Sequence, residues 1–113
     1  MAGVLTDELR YRLLQLLEAN PRMSQRDVSR ELGISLGRVN YCLKSLMQKG
    51  WIKVSNFRNS RNKAAYIYLL TPRGIEAKAG VTVKFLQAKL QEYEVLCAEI
   101  ERIRADVERQ KSQ

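Results

Sequence analysis

Apolar residues recur every three or four positions through the first part of the chain, which predicts amphipathic helices. Thr6 can cap a first helix, which Asn20-Pro21 ends. Ser24 can cap a short second helix, Gly33 can end it in a left-handed conformation, and Ser35 can cap a third helix two residues later. The predicted inward positions are Leu9, Leu13, Leu16 and Leu17, then Val28 and Leu32, then Val39, Leu43 and Leu46, with Cys42 beside the last group.

After Gly50, which closes the third helix, the apolar spacing changes to two, as in strands. Residues 51–54 predict one strand and residues 66–70 its partner, with a polar and basic loop between them. Thr71-Pro72 then predicts the start of a long final helix, because Thr is a good cap and Pro suits the first helical position. Gly80, followed by Val81-Thr82-Val83, is a candidate position for a kink or a break in that helix.

These elements predict a mostly α fold with a small β-hairpin, in the α+β class. Two short helices joined by a tight turn have the spacing of a helix-turn-helix, and a basic hairpin after them makes the arrangement a winged helix. We therefore expect a winged helix-turn-helix domain over residues 1–80 and a helical segment over residues 81–113.

Positive charge is confined to the predicted helix-turn-helix and hairpin. Residues 22–63 contain ten Lys and Arg but only Asp27 and Glu31, for a net charge of +8. The rest of the chain has ten basic and ten acidic residues and is neutral. Scattered charge would indicate an ordinary solvated surface, whereas this concentration favours a nucleic-acid backbone as partner.

The third predicted helix, residues 35–49, is the candidate recognition helix for the major groove of double-stranded DNA. Arg38 could reach a guanine edge, Asn40 an adenine edge, and Tyr41 a phosphate or a thymine methyl. Gly37 has no side chain and would let the backbone of this helix approach the DNA closely. The hairpin loop, residues 57–64, could follow phosphates or enter the minor groove. The candidate DNA-binding residues are Ser24, Gln25, Arg26, Ser35, Leu36, Gly37, Arg38, Asn40, Tyr41, Lys44, Arg58, Asn59, Ser60, Arg61, Asn62 and Lys63.

The final helix has a three-four alternation of apolar residues over about three and a half heptads, which indicates a coiled coil. Arg104 is its one misfit. We expect the start of this helix to pack on its own domain and the remainder to form a homodimer. The candidate dimerisation residues are Val83, Leu86, Leu90, Tyr93, Leu96, Cys97, Ile100, Ile103 and Val107.

The sequence does not predict an enzyme, a cofactor or a metal site. It has no histidine, no Gly-rich phosphate loop and no nucleophile–base pair. Cys42 and Cys97 lie far apart at apolar helical positions, which favours reduced thiols in an intracellular protein. No signal peptide or membrane helix is expected. The alternative to operator recognition is a winged helix that binds protein or RNA through the same basic surface.

Residues 24–27 and 31–44 resemble those of MarR-type winged-helix regulators associated with exopolysaccharide gene clusters, and residues 49–54, 70–76 and 85–104 continue the similarity. Residues 35–44 are its more specific part, since Leu-Thr-Pro-x-Gly occurs in many winged helices. The resemblance implies a bacterial, cytoplasmic, nucleoid-associated transcription factor near polysaccharide-synthesis genes. Many MarR proteins begin with an additional dimerisation helix. Here the first predicted helix begins almost at the first residue of the sequence, so the resemblance does not establish the usual effector pocket, and a small-molecule effector stays unknown.

Overall fold

A computed structural model describes residues 5–58 and 64–113. Three helices, an antiparallel hairpin and one long helix follow in that order, which confirms the predicted fold class. The elements are α1 (Asp7–Ala19), α2 (Gln25–Leu32), α3 (Leu36–Gln48), β1 (Ile52–Arg58), β2 (Ala64–Leu70) and α4 (Pro72–Lys111).

The predicted helix caps are present, because short hydroxyl side chains accept the amide hydrogens that a first helical turn leaves without partners. Thr6 caps α1, Ser35 caps α3 and Thr71 caps α4. Ser24 caps α2 in a reciprocal capping box with Asp27. Gly33 ends α2 at φ 67°, a left-handed conformation that costs glycine little. The turn between α2 and α3 was therefore predictable from residue types alone.

The core lies where α1, α2, α3 and the base of the hairpin meet. The predicted inward positions are buried, apart from Leu16, which is partly buried and packs against the core. The fully buried side chains of the core are Leu13, Leu14, Leu17, Val28, Val39, Cys42, Leu43 and Leu46. Because these residues come from three different helices, they fix the angle at which α3 stands against α2.

The hairpin is longer than the alternation of apolar residues predicts. Backbone pairing runs from Ile52 opposite Leu70 to Arg58 opposite Ala64, four residues beyond the predicted end of the first strand. Among the residues whose side chains the structure describes, Ile52 and Tyr68 at the base of this ladder are buried in the core. Ser55, Asn56 and Arg58 interrupt the apolar alternation of the first strand, so that pattern could not reveal its full length.

The start of α4 is fastened to the end of α3 and the start of the hairpin. The Thr71 amide donates to the Trp51 carbonyl at 3.0 Å, and the Thr71 hydroxyl donates to the Gly50 carbonyl at 2.5 Å. Gly74 lies so close to Trp51 that a Cβ at residue 74 would be 1.9 Å from the Trp51 oxygen. This junction fixes where α4 leaves the domain.

The predicted break at Gly80 is wrong, since α4 continues through it as a single 40-residue helix. Three consecutive β-branched residues and one glycine cost helix stability without forbidding the helix, and contact with α1 offsets that cost. Val81 is buried at this contact. In the part of the chain that the structure describes, no helix is long and apolar enough to cross a membrane.

Beyond its contact with α1, α4 leaves the body of the protein. From residue 90 onward every side chain is exposed except Cys97, which is half-buried. The molecule measures 74 × 28 × 28 Å, and its radius of gyration of 20.1 Å exceeds the ~13 Å expected for a compact chain of this length. The distal half of α4 therefore has no packing partner among the described residues.

Candidate nucleic-acid interface

The outward face of α3 is the centre of the candidate interface. The core holds the opposite side of the helix through Val39, Leu43 and Leu46, as predicted. Four candidate residues are exposed on the outward side: Leu36, Gly37, Tyr41 and Lys44. Leu36 and Tyr41 keep 42% and 47% of their surface accessible. Ser35, also exposed, caps the helix that presents them.

Arg38 is half-buried on α3. Its guanidinium hydrogen-bonds the thiol of Cys42, one turn further along α3. Burial raises the pKa of the Cys42 thiol, and the nearby Arg38 charge only partly opposes that shift. Arg38 must leave this contact, at least in part, before it can reach a base.

Asn40 and Gln25 also have partners within the protein. The Asn40 amide donates to Gln25 Oε1 at 3.4 Å, and the Gln25 amide donates to the Tyr68 hydroxyl at 3.2 Å. Tyr68 is only 4% exposed, and its backbone amide donates to the Pro21 carbonyl. This chain of hydrogen bonds, the Gln25 relay, joins α3 to α2 and the hairpin, so it sets the relative positions of three elements of the candidate interface.

The N-terminus of α2 adds exposed polar and basic groups beside α3. Ser24 and Arg26 are exposed, as predicted. Asp27 accepts a hydrogen bond from the Ser24 amide at 3.2 Å and pairs with Arg30 at 2.6 Å. The bonds to Ser24, with a smaller contribution from Arg30, lower the pKa of the Asp27 carboxyl. The Asp27 carboxylate thus belongs to the helix cap, and its negative charge is partly balanced by Arg30.

Part of the predicted site lies outside the described residues. Asn59, Ser60, Arg61, Asn62 and Lys63 fall there, and of Arg58 the structure describes the backbone, which ends β1. The hairpin nevertheless supplies one described group that the sequence argument missed, Tyr66, which is 57% exposed on the same strand face as Tyr68.

Sequence reasoning missed two further residues. Gln48 lies one turn beyond Lys44 on the outward face of α3 and is exposed. Helical spacing alone would have found it. For Tyr68 the sequence predicts a place in a strand but no polar role. Its bond to Gln25 spans 43 positions, a separation at which a single sequence carries no signal.

A second candidate surface runs along α4. Eight of the nine predicted dimerisation residues are exposed, with 40–64% of their surface accessible, and Cys97 is half-buried. Near the end of the helix, Ile100, Ile103 and Val107 line a shallow apolar groove with Arg104 and Glu108. Contiguous apolar patches of this kind on soluble proteins usually mark an interface.

The N-terminal part of the chain is similar to a known family of DNA-binding domains. Residues 6–53 match a model of winged helix-turn-helix DNA-binding domains. The match runs from the cap of α1 into β1 and includes the whole helix-turn-helix, so this region is similar to winged helix-turn-helix DNA-binding domains. No curated protein matches the sequence significantly.

Solved structures share the fold at low sequence identity. A PadR-like transcriptional regulator from Bacillus cereus is similar at a TM-score of 0.70 and 15% identity, over 81% of this chain and 94% of its own. Streptococcus pneumoniae FabT, solved in complex with DNA, is similar at a TM-score of 0.53 and 23% identity, over 74% of this chain and 56% of its own. Staphylococcus aureus MarR, solved in complex with salicylate and kanamycin, is similar at a TM-score of 0.53 and 22% identity, over 76% of this chain and 55% of its own. The family model and these neighbours are DNA-binding or regulatory proteins rather than enzymes, which agrees with the predicted lack of catalytic activity.

Proposed function

We propose that this protein is a transcriptional regulator that binds double-stranded DNA as a homodimer, with α3 in the major groove. The observation that supports this most is the outward face of α3, which is exposed and carries both polar and apolar side chains. This face lies within the strongly basic segment of the chain, residues 22–63, and within the part that matches winged helix-turn-helix domains. A helix of this exposure and width suits a groove about 12 Å wide.

In this proposal the exposed residues divide by chemistry. Lys44 and Arg26 neutralise phosphates, while Ser24 and Ser35, at two helix N-termini, donate to phosphate oxygens. Leu36 and Tyr41 contact thymine methyl groups or sugar. Arg38 and Asn40 reach base edges only by exchanging their contacts with Cys42 and Gln25 for contacts with DNA. Base readout therefore replaces hydrogen bonds within the protein and does not simply add to them.

The test is a gel-shift titration on the operator, defined first by genome-wide footprinting, with random duplex DNA and RNA as competitors. Arg38→Ala should lose about 1–3 kcal/mol on the operator and relax preference at one base pair. Lys84→Ala, an exposed cation on α4, is the matched control and should bind normally. Equal loss on random DNA would make Arg38 a phosphate contact, and equal competition by RNA would favour the RNA-binding alternative.

The hairpin loop is proposed to hold the backbone through Arg58, Arg61 and Lys63. Replacing all three with alanine should weaken specific and random binding together. It should also reduce the slope of log affinity against log salt by about 0.9 for each phosphate that the variant no longer neutralises. A slope equal to that of the unaltered protein would remove the loop from the interface.

The α4 stripe is proposed to join two copies, because one winged helix has too small an interface for tight operator binding. Leu90→Glu with Ile100→Glu should yield a folded monomer in sedimentation that loses operator affinity far more than random-DNA affinity. Val95→Glu is the matched control, since Val95 is 60% exposed on α4 but lies off the stripe. A Leu90/Ile100 variant that remains a dimer would contradict this assignment.

The resemblance of residues 24–44 to exopolysaccharide-associated regulators further suggests the target genes. We expect the footprints to lie upstream of polysaccharide-synthesis genes in the bacterium that carries this protein. Reproducible footprints confined to unrelated promoters would reject this target while leaving DNA binding intact.

A further inference from the structure

The buried end of the Gln25 relay bears on how Asn40 discriminates between bases, a question that rests on the proposed operator binding by α3. The two links of the relay differ in length. The Gln25 amide lies 3.2 Å from the Tyr68 hydroxyl, at the upper limit of the usual range, whereas the Asn40 amide lies 3.4 Å from Gln25 Oε1, beyond that range. The link on the DNA-binding side of the relay is therefore the easier one to exchange.

Tyr68 is fixed by contacts that do not involve its hydroxyl. The residue is 4% exposed, it lies opposite Val54 in the hairpin, and its backbone amide donates to the Pro21 carbonyl at 3.0 Å. The hydroxyl is thus held at one position beside the start of α2. Removing the hydroxyl alone leaves the burial of the ring and the backbone bond to Pro21 in place.

Gln25 and Asn40 are only half-buried, at the start of α2 and in the middle of α3. Glutamine is long and flexible, and it loses much rotamer freedom when its side chain is fixed. Because Tyr68 accepts from the Gln25 amide, the Gln25 carbonyl is the group that faces Asn40. The orientation of Asn40 therefore depends on a hydroxyl two contacts away, in the hairpin.

The direction of these hydrogen bonds determines what Asn40 gives up when it meets DNA. Leaving Gln25 costs Asn40 one N–H bond. An adenine edge replaces it with two bonds, since adenine offers both an acceptor and a donor in the major groove. A phosphate oxygen replaces it with a single bond and offers the Asn40 carbonyl nothing, because it is an acceptor only. The exchange thus favours a matching base, as long as Gln25 stays in place.

We propose that Tyr68 is a positioning residue for sequence recognition, because its buried hydroxyl holds Gln25 and Gln25 restrains Asn40 against contacts other than the matching base. Without the hydroxyl, Gln25 moves away and Asn40 gains a bond from any acceptor that it meets. The preference at the base pair that Asn40 reads then falls, while the attraction of the basic segment for phosphates is unchanged.

The experiment measures binding of the full-length protein to the footprinted operator and to every single-base-pair substitution of it. Asn40→Ala identifies the base pair that Asn40 reads, as the position at which it abolishes the preference. Tyr68→Phe should lower the preference at that base pair by about two- to tenfold, which is the range that one neutral hydrogen bond supports. Gln25→Met keeps the length of the side chain without its amide and should have the same effect, so it carries the test if Tyr68→Phe does not fold.

Tyr66→Phe is the matched control, because it removes a hydroxyl from the exposed tyrosine whose ring centroid lies 6.4 Å from that of Tyr68. It should leave the preference at every base pair unchanged. In an Asn40→Ala background, Tyr68→Phe should also change no preference, because the residue through which it acts is gone.

The outcomes separate this inference from the proposed function. Unaltered base preference in Tyr68→Phe and Gln25→Met, or an effect of Tyr68→Phe that persists without Asn40, would overturn the positioning role and leave operator binding standing. The same holds if Asn40→Ala keeps every preference. An unaltered protein that binds operator and random DNA equally would reject operator recognition itself, and this inference with it.

Discussion

Replacing Gly74 with alanine tests the junction that orients α4 against the winged-helix body. The added methyl group would lie 1.9 Å from the Trp51 carbonyl oxygen and 2.8 Å from its carbon. Both atoms are backbone, so neither can rotate away as a side chain would. The first turn of α4 must instead move by at least about 1.1 Å to restore a 3.0 Å contact.

That movement acts on two hydrogen bonds at the same place. The Thr71 amide to the Trp51 carbonyl and the Thr71 hydroxyl to the Gly50 carbonyl both join the start of α4 to this segment. Weakening one such bond costs about 0.5–1.5 kcal/mol, and overpacking costs about 1–3 kcal/mol. Alanine recovers part of this through its helix propensity. We expect a net loss of about 2–4 kcal/mol in the free energy of unfolding.

The assay is urea and thermal unfolding followed by circular dichroism at 222 nm, where a loss of this size lowers Tm by roughly 10 °C or more. Gly80→Ala is the matched control, because a Cβ at residue 80 meets nothing within 4 Å in the same helix. It should stabilise the protein by up to about 1 kcal/mol, since alanine is the better helix former. A Gly74→Ala protein as stable as the unaltered one would refute the account of this junction.

Three other variants test the candidate interface. Gly37→Ala should not destabilise the free protein, because a Cβ there has open space and alanine is the better helix former. It should weaken operator binding about tenfold in a gel shift if DNA approaches that backbone. Tyr68→Phe removes the hydroxyl that accepts from Gln25 and should cost about 0.5–1.5 kcal/mol in urea unfolding. Ser24→Ala should raise the pKa of Asp27 toward 3.8 in an NMR titration. Because the folded-state pKa is depressed, the stability that the cap contributes is present above the unfolded-state pKa and lost as pH falls through the folded one.

The local framework of the fold was predictable because its signals are short-range. A hydroxyl residue just before a segment of helical periodicity, such as Ser24 or Ser35, accepts a hydrogen bond from an amide of the first helical turn in any fold. The end of α2 at Gly33 was predictable because glycine adopts a left-handed conformation at little cost. These signals act within four residues, so one sequence suffices to read them.

The errors fall where packing between distant segments decides the outcome. Gly80 has a low helix propensity, and contact of the surrounding turns with α1 overrides it. Helical angle places Arg38 and Asn40 on or near the outer side of α3. It does not predict their contacts with Cys42 and Gln25, which only the packed domain determines.

The half-buried state of Arg38 and Asn40 changes what specificity means for this surface. An exposed arginine gains its full contact with any phosphate it meets, so it binds random DNA and operator alike. A side chain that already makes a hydrogen bond within the protein gains only the difference between the bond that it gives up and the bond that it forms with DNA. In the proposed interface a base edge of matching geometry would increase that difference, whereas Lys44 would gain from every phosphate. Contacts within the protein would thus lower the intrinsic affinity of Arg38 and Asn40 and raise their discrimination between sequences.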